Sequence, residues 1–197
     1  MPESLFPEEL NDSNWTKAFL KWLKDIEFQS TTTRLTLDLL LEQYNALYMH
    51  FLKVSTQVRH LQRLPRYKQN AKLLRTIPGI GPLTTVQLLT EIENVNRFVS
   101  FKKFNSYVGF KPTSHSSGEH DYRGHMTYRQ HKGLRSALVE CAWTTISADP
   151  VMMQRYEELK KRLTSKRAII IIARKLLSRI YFVLKNQKPY ELGLVRT

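Results

Sequence analysis

Three serines stand close together in the stretch SHSSGEH, at positions 114, 116 and 117, and Ser117 directly precedes Gly118. A serine hydroxyl can attack a phosphodiester and form a covalent phosphoserine, provided that a base or a metal activates it. The same composition also makes an ordinary turn, because Ser and Gly populate turns for conformational reasons. Both readings stay open on these residues alone. Four histidines, His115, His120, His125 and His131, with Glu119 and Asp121 as co-ligand candidates, raise a metal site as well. Their spacings match no ligand signature and no cysteine joins them, so no metal or cofactor is assigned to this chain.

Phosphate chemistry is also suggested by LLRTIPGIGPLTTVQLLTEI, Leu73 to Ile92. A helix ends, the chain turns tightly through Gly79, Ile80 and Gly81, and Pro82 opens an apolar helix, where a missing N–H costs nothing. Glycine tolerates positive φ and close backbone approach. The amides of such a turn and helix start suit an anionic oxygen. The pattern resembles a helix-hairpin-helix, which grips DNA backbones without reading bases; an αα-corner with glycine caps is the plainer reading. Lys72, Lys102 and Lys103 are the lysines that would add to phosphate binding.

The elements that must carry these groups read as helices. Trp15, Phe19, Trp22, Leu23 and Ile26 recur at helical spacing after Asn14, the expected N-cap. From Thr31 to Leu64 no Gly or Pro interrupts a heptad pattern, with Leu37, Tyr44, Phe51 and Val58 on one seam and Leu40, Leu47, Val54 and Leu61 on the other. Four heptads predict a coiled coil or long helical hairpin, ended by Pro65, that self-associates as a dimer or higher oligomer. A core helix covered by its own domain is the alternative. PVMMQRYEELKKRL and KRAIIIIARKLLSRIYFVLKN predict two further helices closed by Pro189, the isoleucines being helical despite their strand propensity. A short strand pair fits only around residues 105–127. The fold class is mainly α: residues 1–65 form a helical association region, and residues 66–197 a compact helical domain with the serine-bearing loop.

The 197-residue chain carries a formal charge of +14. Residues 1–64 hold 7 basic and 8 acidic side chains, so all the excess lies beyond them. Such a block most often meets nucleic acid, because each neutralised phosphate releases counterions; a solubilising face or an acidic membrane surface are the other readings. The single Cys141 cannot form an internal disulfide, the start is no secretory signal, and no apolar run approaches a membrane span. A soluble cytoplasmic protein is expected.

IPGIGPLT, RFVSFKKFNSYVGFKP, SSG, G-x-M-T and L-R follow in fixed order over about residues 70–190. This order resembles the C-terminal domain of the RNA-guided insertion-sequence transposases, the family that also contains the pilin-gene-inverting recombinase. The resemblance implies that Ser117 is the nucleophile, with Ser114 and Ser116 as weaker alternatives, and that the heptad helix is the family's coiled coil. Arg123, Arg129 and Arg135 become candidates for neutralising phosphate. Thr127 and Arg129 keep the family's run after the serine, whereas Tyr128 and Gln130 replace its lysine and glycine. The family also carries an N-terminal RuvC-like domain with an acidic, magnesium-binding site. Residues 1–64 are too short and too helical for it, and Asp12, Asp25, Asp38 and Glu42 lie on the tail or on helices. The implied function is the C-terminal part of a transposase or site-specific recombinase that binds double-stranded DNA and is inactive in strand exchange until an acidic domain is supplied, as in a split, truncated or engineered protein. A guide RNA is an open further partner. A non-catalytic helix-hairpin-helix module and a coiled-coil interaction protein are the competing readings.

Overall fold

The computed structural model describes residues 15–110, 112–117, 120–126 and 131–193, with the segments 112–117 and 120–126 described in their backbone. The chain is mainly helical and divides into two units, Met1–Val54 and Ser55–Thr197.

In the first unit, α1 spans Lys17–Asp25 and α2 begins at Thr31, running as one helix to Leu61. Thr16 caps α1 by accepting the amide of Phe19 at 3.1 Å, so the helix starts two residues later than the Asn14 cap predicts. Asn14 itself lies outside the described residues. Trp15 stacks on Tyr44 of α2 with centroids 5.0 Å apart, and Phe19 and Leu41 are buried. Arg34 ties the two helices, donating to Ile26 O at 2.9 Å while pairing with Asp38 one turn on.

The heptad seams of α2 part company here. Leu37 and Tyr44 are half-buried, but Leu40, Leu47 and Val54 are exposed, Leu47 to 71%, and Phe51 of the first seam is open as well. The end of α2 also differs from expectation. It stops at Leu61, four residues short of Pro65, and Pro65 instead opens α3, Pro65–Leu74. A proline at N1 has no amide to satisfy and a φ already suited to the helix, so it starts this helix rather than breaking the last one.

The second unit continues through α4 (Pro82–Ile92), a 3-10 turn (Val95–Arg97), α5 (Phe101–Val108), an antiparallel pair β1 (Pro112–Ser117) and β2 (His120–Met126), then α6 (Lys132–Ala148), α7 (Pro150–Lys160) and α8 (Ser165–Asn186). α8 is the hub. Ala168, Ile169, Ile172, Ala173, Leu176, Leu177, Ile180, Val183 and Leu184 are buried along one face, against α3, α5, α6 and α7. The i, i+3, i+4 repeat of that face makes the isoleucines helical, because their side chains fill the space between four neighbours. Asp149 both ends α6 and caps α7, accepting the amides of Val151 at 3.0 Å and Met152 at 3.2 Å. Among the described residues, no helix is long and apolar enough to cross a membrane.

Candidate functional site

The two glycines of the α3–α4 turn do different jobs. Gly79 has φ +85°, and a Cβ there would stand 2.5 Å from both Cys141 O and Thr145 Oγ1 on α6. The Thr145 hydroxyl lies 2.8 Å from Pro78 O and from Cys141 O, donating to one at a time, so it fastens the turn to α6. Gly81, which caps α4, would place a Cβ in open space. Its amide donates inward to the Cys141 thiol, which in turn reaches Thr84 Oγ1 at 3.5 Å; burial pushes that thiol up. Ile80 is a core residue, with its amide on Ile77 O at 3.1 Å. Of the turn amides expected to meet a phosphate, those of Ile80 and Gly81 are thus engaged within the chain, whereas Leu83 and Thr84 precede the helical ladder that begins with Thr85 N on Gly81 O.

The serines lie on a strand pair, not in an irregular loop. The register sets Ser114 opposite Arg123, His115 opposite Tyr122, Ser116 opposite Asp121 and Ser117 opposite His120. Ser117 therefore ends β1 beside the two-residue connection Gly118-Glu119, which lies outside the described residues. Arg123 is placed across from Ser114, three positions from Ser117 along the ladder. Arg129, with Thr127, Tyr128 and Gln130, lies outside the described residues.

A knot of rings and charges ties the start of α6 to α4 and α5. His131, just before α6, sets its Nδ1 3.2 Å from Glu91 Oε2 and its ring 4.5 Å from that of Tyr107. The Tyr107 hydroxyl donates to Glu91 O at 2.8 Å, and Arg97 donates to the same carbonyl at 3.1 Å while covering the Tyr107 and Phe98 rings at 4.8 Å. Of the four histidines considered as ligands, His131 is thus engaged by a carboxylate and a phenol. Among the described residues, no group of three or more His, Cys, Asp or Glu could hold a metal ion, and the side chains of His115, His120 and His125 lie outside them.

Residues 71–157, from the end of α3 to the last turn of α7, match the family described as Transposase IS116/IS110/IS902 family. This segment is similar to the transposase domain of that family. The pilin gene-inverting protein of Moraxella bovis is 34% identical over 152 residues, 72% of this chain and 47% of that protein. The transposase for insertion sequence element IS1328 of Yersinia enterocolitica is 30% identical over 121 residues, 59% of this chain and 34% of its own length. An insertion element IS110 protein of Streptomyces coelicolor is 28% identical over 120 residues, 60% of this chain and 30% of its own. The chain spans about half or less of the length of these relatives.

The glycine turn, the Glu91–His131 knot and the strand pair all fall inside the matched segment. Lys102 and Lys103 do too, exposed in the first turn of α5, as do Lys72, exposed on α3, and Arg135, half-buried on α6 and in contact with other groups. They stand on three different helices. Two features escaped the sequence. One is the knot, whose members lie up to forty residues apart. The other is a strap beyond α8, where the Tyr190 hydroxyl donates to Asp149 and its amide donates to Thr76 Oγ1 at 2.8 Å. Burial, then the bond to Asp149, pushes the Tyr190 phenol up to about 12. The KPY run near the C-terminus was the only sequence signal for it.

Proposed function

We propose that this chain is the DNA-holding, serine-bearing part of a transposase or site-specific recombinase. The observation that carries the reading is the family match over residues 71–157, which takes in both the glycine turn and Ser117. Duplex DNA lies along Lys72, Lys102 and Lys103 and the start of α4, with the α3–α4 turn acting as a helix-hairpin-helix. In strand exchange the Ser117 oxygen attacks phosphorus; an Oγ–P bond forms and a P–O bond to the deoxyribose breaks. The hydroxyl proton passes to a base, and the departing sugar oxygen takes up a proton. Arg123, Arg129 and Arg135 offset the charge that develops on the non-bridging oxygens. The activating base and magnesium belong to a RuvC-like acidic domain. The open seam of α2 pairs as a coiled coil with a second copy, and a guide RNA is a further ligand for the basic surface.

The test mixes the chain with a RuvC-like domain, magnesium and labelled duplex. A covalent protein–DNA adduct is expected, complete loss of it in Ser117→Ala, and unchanged duplex affinity. Persistence of the adduct in that variant would overturn the assignment of Ser117.

A further inference from the structure

We propose that the outer face of α8, together with the cavity beside Phe182, holds an unpaired nucleic-acid strand. α8 carries six cations, Lys166, Arg167, Arg174, Lys175, Arg179 and Lys185, and no carboxylate. Apart from half-buried Lys175 they are exposed, and from Arg167 to Lys185 they run about 27 Å along the helix at its usual rise.

A merely solvated face would look different, and this molecule supplies the comparison. On α2 and α7 three cations have acidic partners about one turn away, Arg34 with Asp38, Arg155 with Glu158 and Lys160 with Glu157, whereas Lys53 and Arg59 of α2 form no ion pair with another described residue. None of the cations of α8 forms an ion pair with another described residue. Their mutual repulsion is felt at Lys175, whose ammonium is pushed down by burial and then by Arg179 and Arg155. Like charges left unpaired on a folded surface destabilise it, and a polyanion relieves that cost.

An aromatic ring selects which polyanion. Phe182 is 56% exposed, between Arg179 and Lys185 in sequence. With Arg179, Val151, Val183, Lys188 and Tyr190 it lines a cavity of about 450 Å³, within the ~300–1,000 Å³ usual for small-ligand sites. A ring flanked by cations and opening on a cavity whose wall mixes apolar side chains with Arg179, Lys188 and one carboxylate, Glu191, suits a base that stacks while its phosphates meet the cations. A duplex keeps its base faces stacked inside the helix, so it gains nothing from Phe182. The cations and Phe182 lie on α8, beyond the matched segment, which the surface meets only at the Val151 side of the cavity, and the proposal does not depend on Ser117.

Fluorescence anisotropy of the full chain with a short labelled oligothymidylate, and with a duplex of equal length, tests it. Phe182→Ala is expected to weaken oligothymidylate binding about fivefold or more while leaving duplex affinity within about twofold, and Phe182→Trp to restore it. Arg174→Gln with Arg179→Gln should lower the salt slope for the single strand by about 1.4, at roughly 0.7 for each phosphate no longer neutralised. Equal weakening of both ligands by Phe182→Ala would give the face to duplex DNA and overturn the proposal. No weakening of either would remove the stacking role and overturn it too.

Discussion

α2 and α8 are the two longest helices among the described residues, α2 rich in leucine and α8 in isoleucine and leucine. They dispose of that surface in opposite ways. α8 hides nine residues in the core of its unit and presents cations outward. α2 buries Leu41 and Ser55 and leaves Leu35, Leu39, Leu40, Leu47, Met49 and Phe51 exposed. The patterns differ before any neighbour is considered. On α8 the apolar positions repeat at i, i+3 and i+4 as a broad stripe, suited to several neighbours at once. On α2 they repeat by heptads, suited to one partner helix at each seam. A broad stripe is satisfied inside a globular unit, whereas Leu40, Leu47, Phe51 and Val54 of the heptad seams stay exposed.

The largest expected effect sharpens this contrast directly. Leu177 is fully buried, so Leu177→Ala should cost about 2–5 kcal/mol, read by denaturant or thermal melting. At dilution Leu47→Ala should change stability by no more than about 0.5 kcal/mol, yet weaken self-association in sedimentation equilibrium. Equal costs for the two would break the comparison, because the α2 face would then have to be covered within the chain.

The next effect contrasts two positions within a single turn. Gly79→Ala sets a Cβ against Cys141 O and Thr145 Oγ1 at positive φ, and roughly 2–4 kcal/mol of stability should be lost. Gly81→Ala meets nothing, and should shift stability by less than about 1 kcal/mol. DNA binding is therefore properly probed at Gly81 and at the start of α4. A Gly79→Ala protein that melts normally would show that the turn is not fastened to α6.

The smallest effect concerns the strap that follows α8. The Tyr190 phenol has a higher value in the folded chain than the ordinary 10, so its contribution is complete below pH 10 and is lost as pH rises toward 12. Tyr190→Phe should cost about 1–2 kcal/mol at neutral pH by leaving Asp149 one donor short. It should also remove from the ultraviolet titration a phenol pushed up to about 12. A titration unchanged by Tyr190→Phe would mean that the strap does not hold in solution.

Much of this architecture was legible in the residues. The helical spacing of Ile172, Leu176, Ile180 and Leu184 outweighed the strand propensity of four isoleucines, since nine positions of α8 repeat with one period. The order of motifs from IPGIGPLT to the serines pointed to the same family that residues 71–157 match. Other features were not legible. Pro65 could end one helix or open the next, and the choice depended on where α2 had already stopped. Arg123 is close to Ser117 in sequence, but a strand register separates neighbours that a loop could have brought together.

What the sequence determined by itself is whatever depends on local spacing: where the helices lie, which of their faces is apolar, which residues are cationic, and the motif order that marks the family. Only the tertiary structure decided which side chains meet. It made Gly79 a packing residue by bringing α6 within 2.5 Å of its missing Cβ, while leaving Gly81 open. It gave His131 to Glu91, and Asp149 to Tyr190 forty-one residues away. The reason is physical. A periodic pattern reports the environment a residue prefers, whereas a contact between distant residues forms only when the packing of whole helices has overcome the entropy of bringing them together.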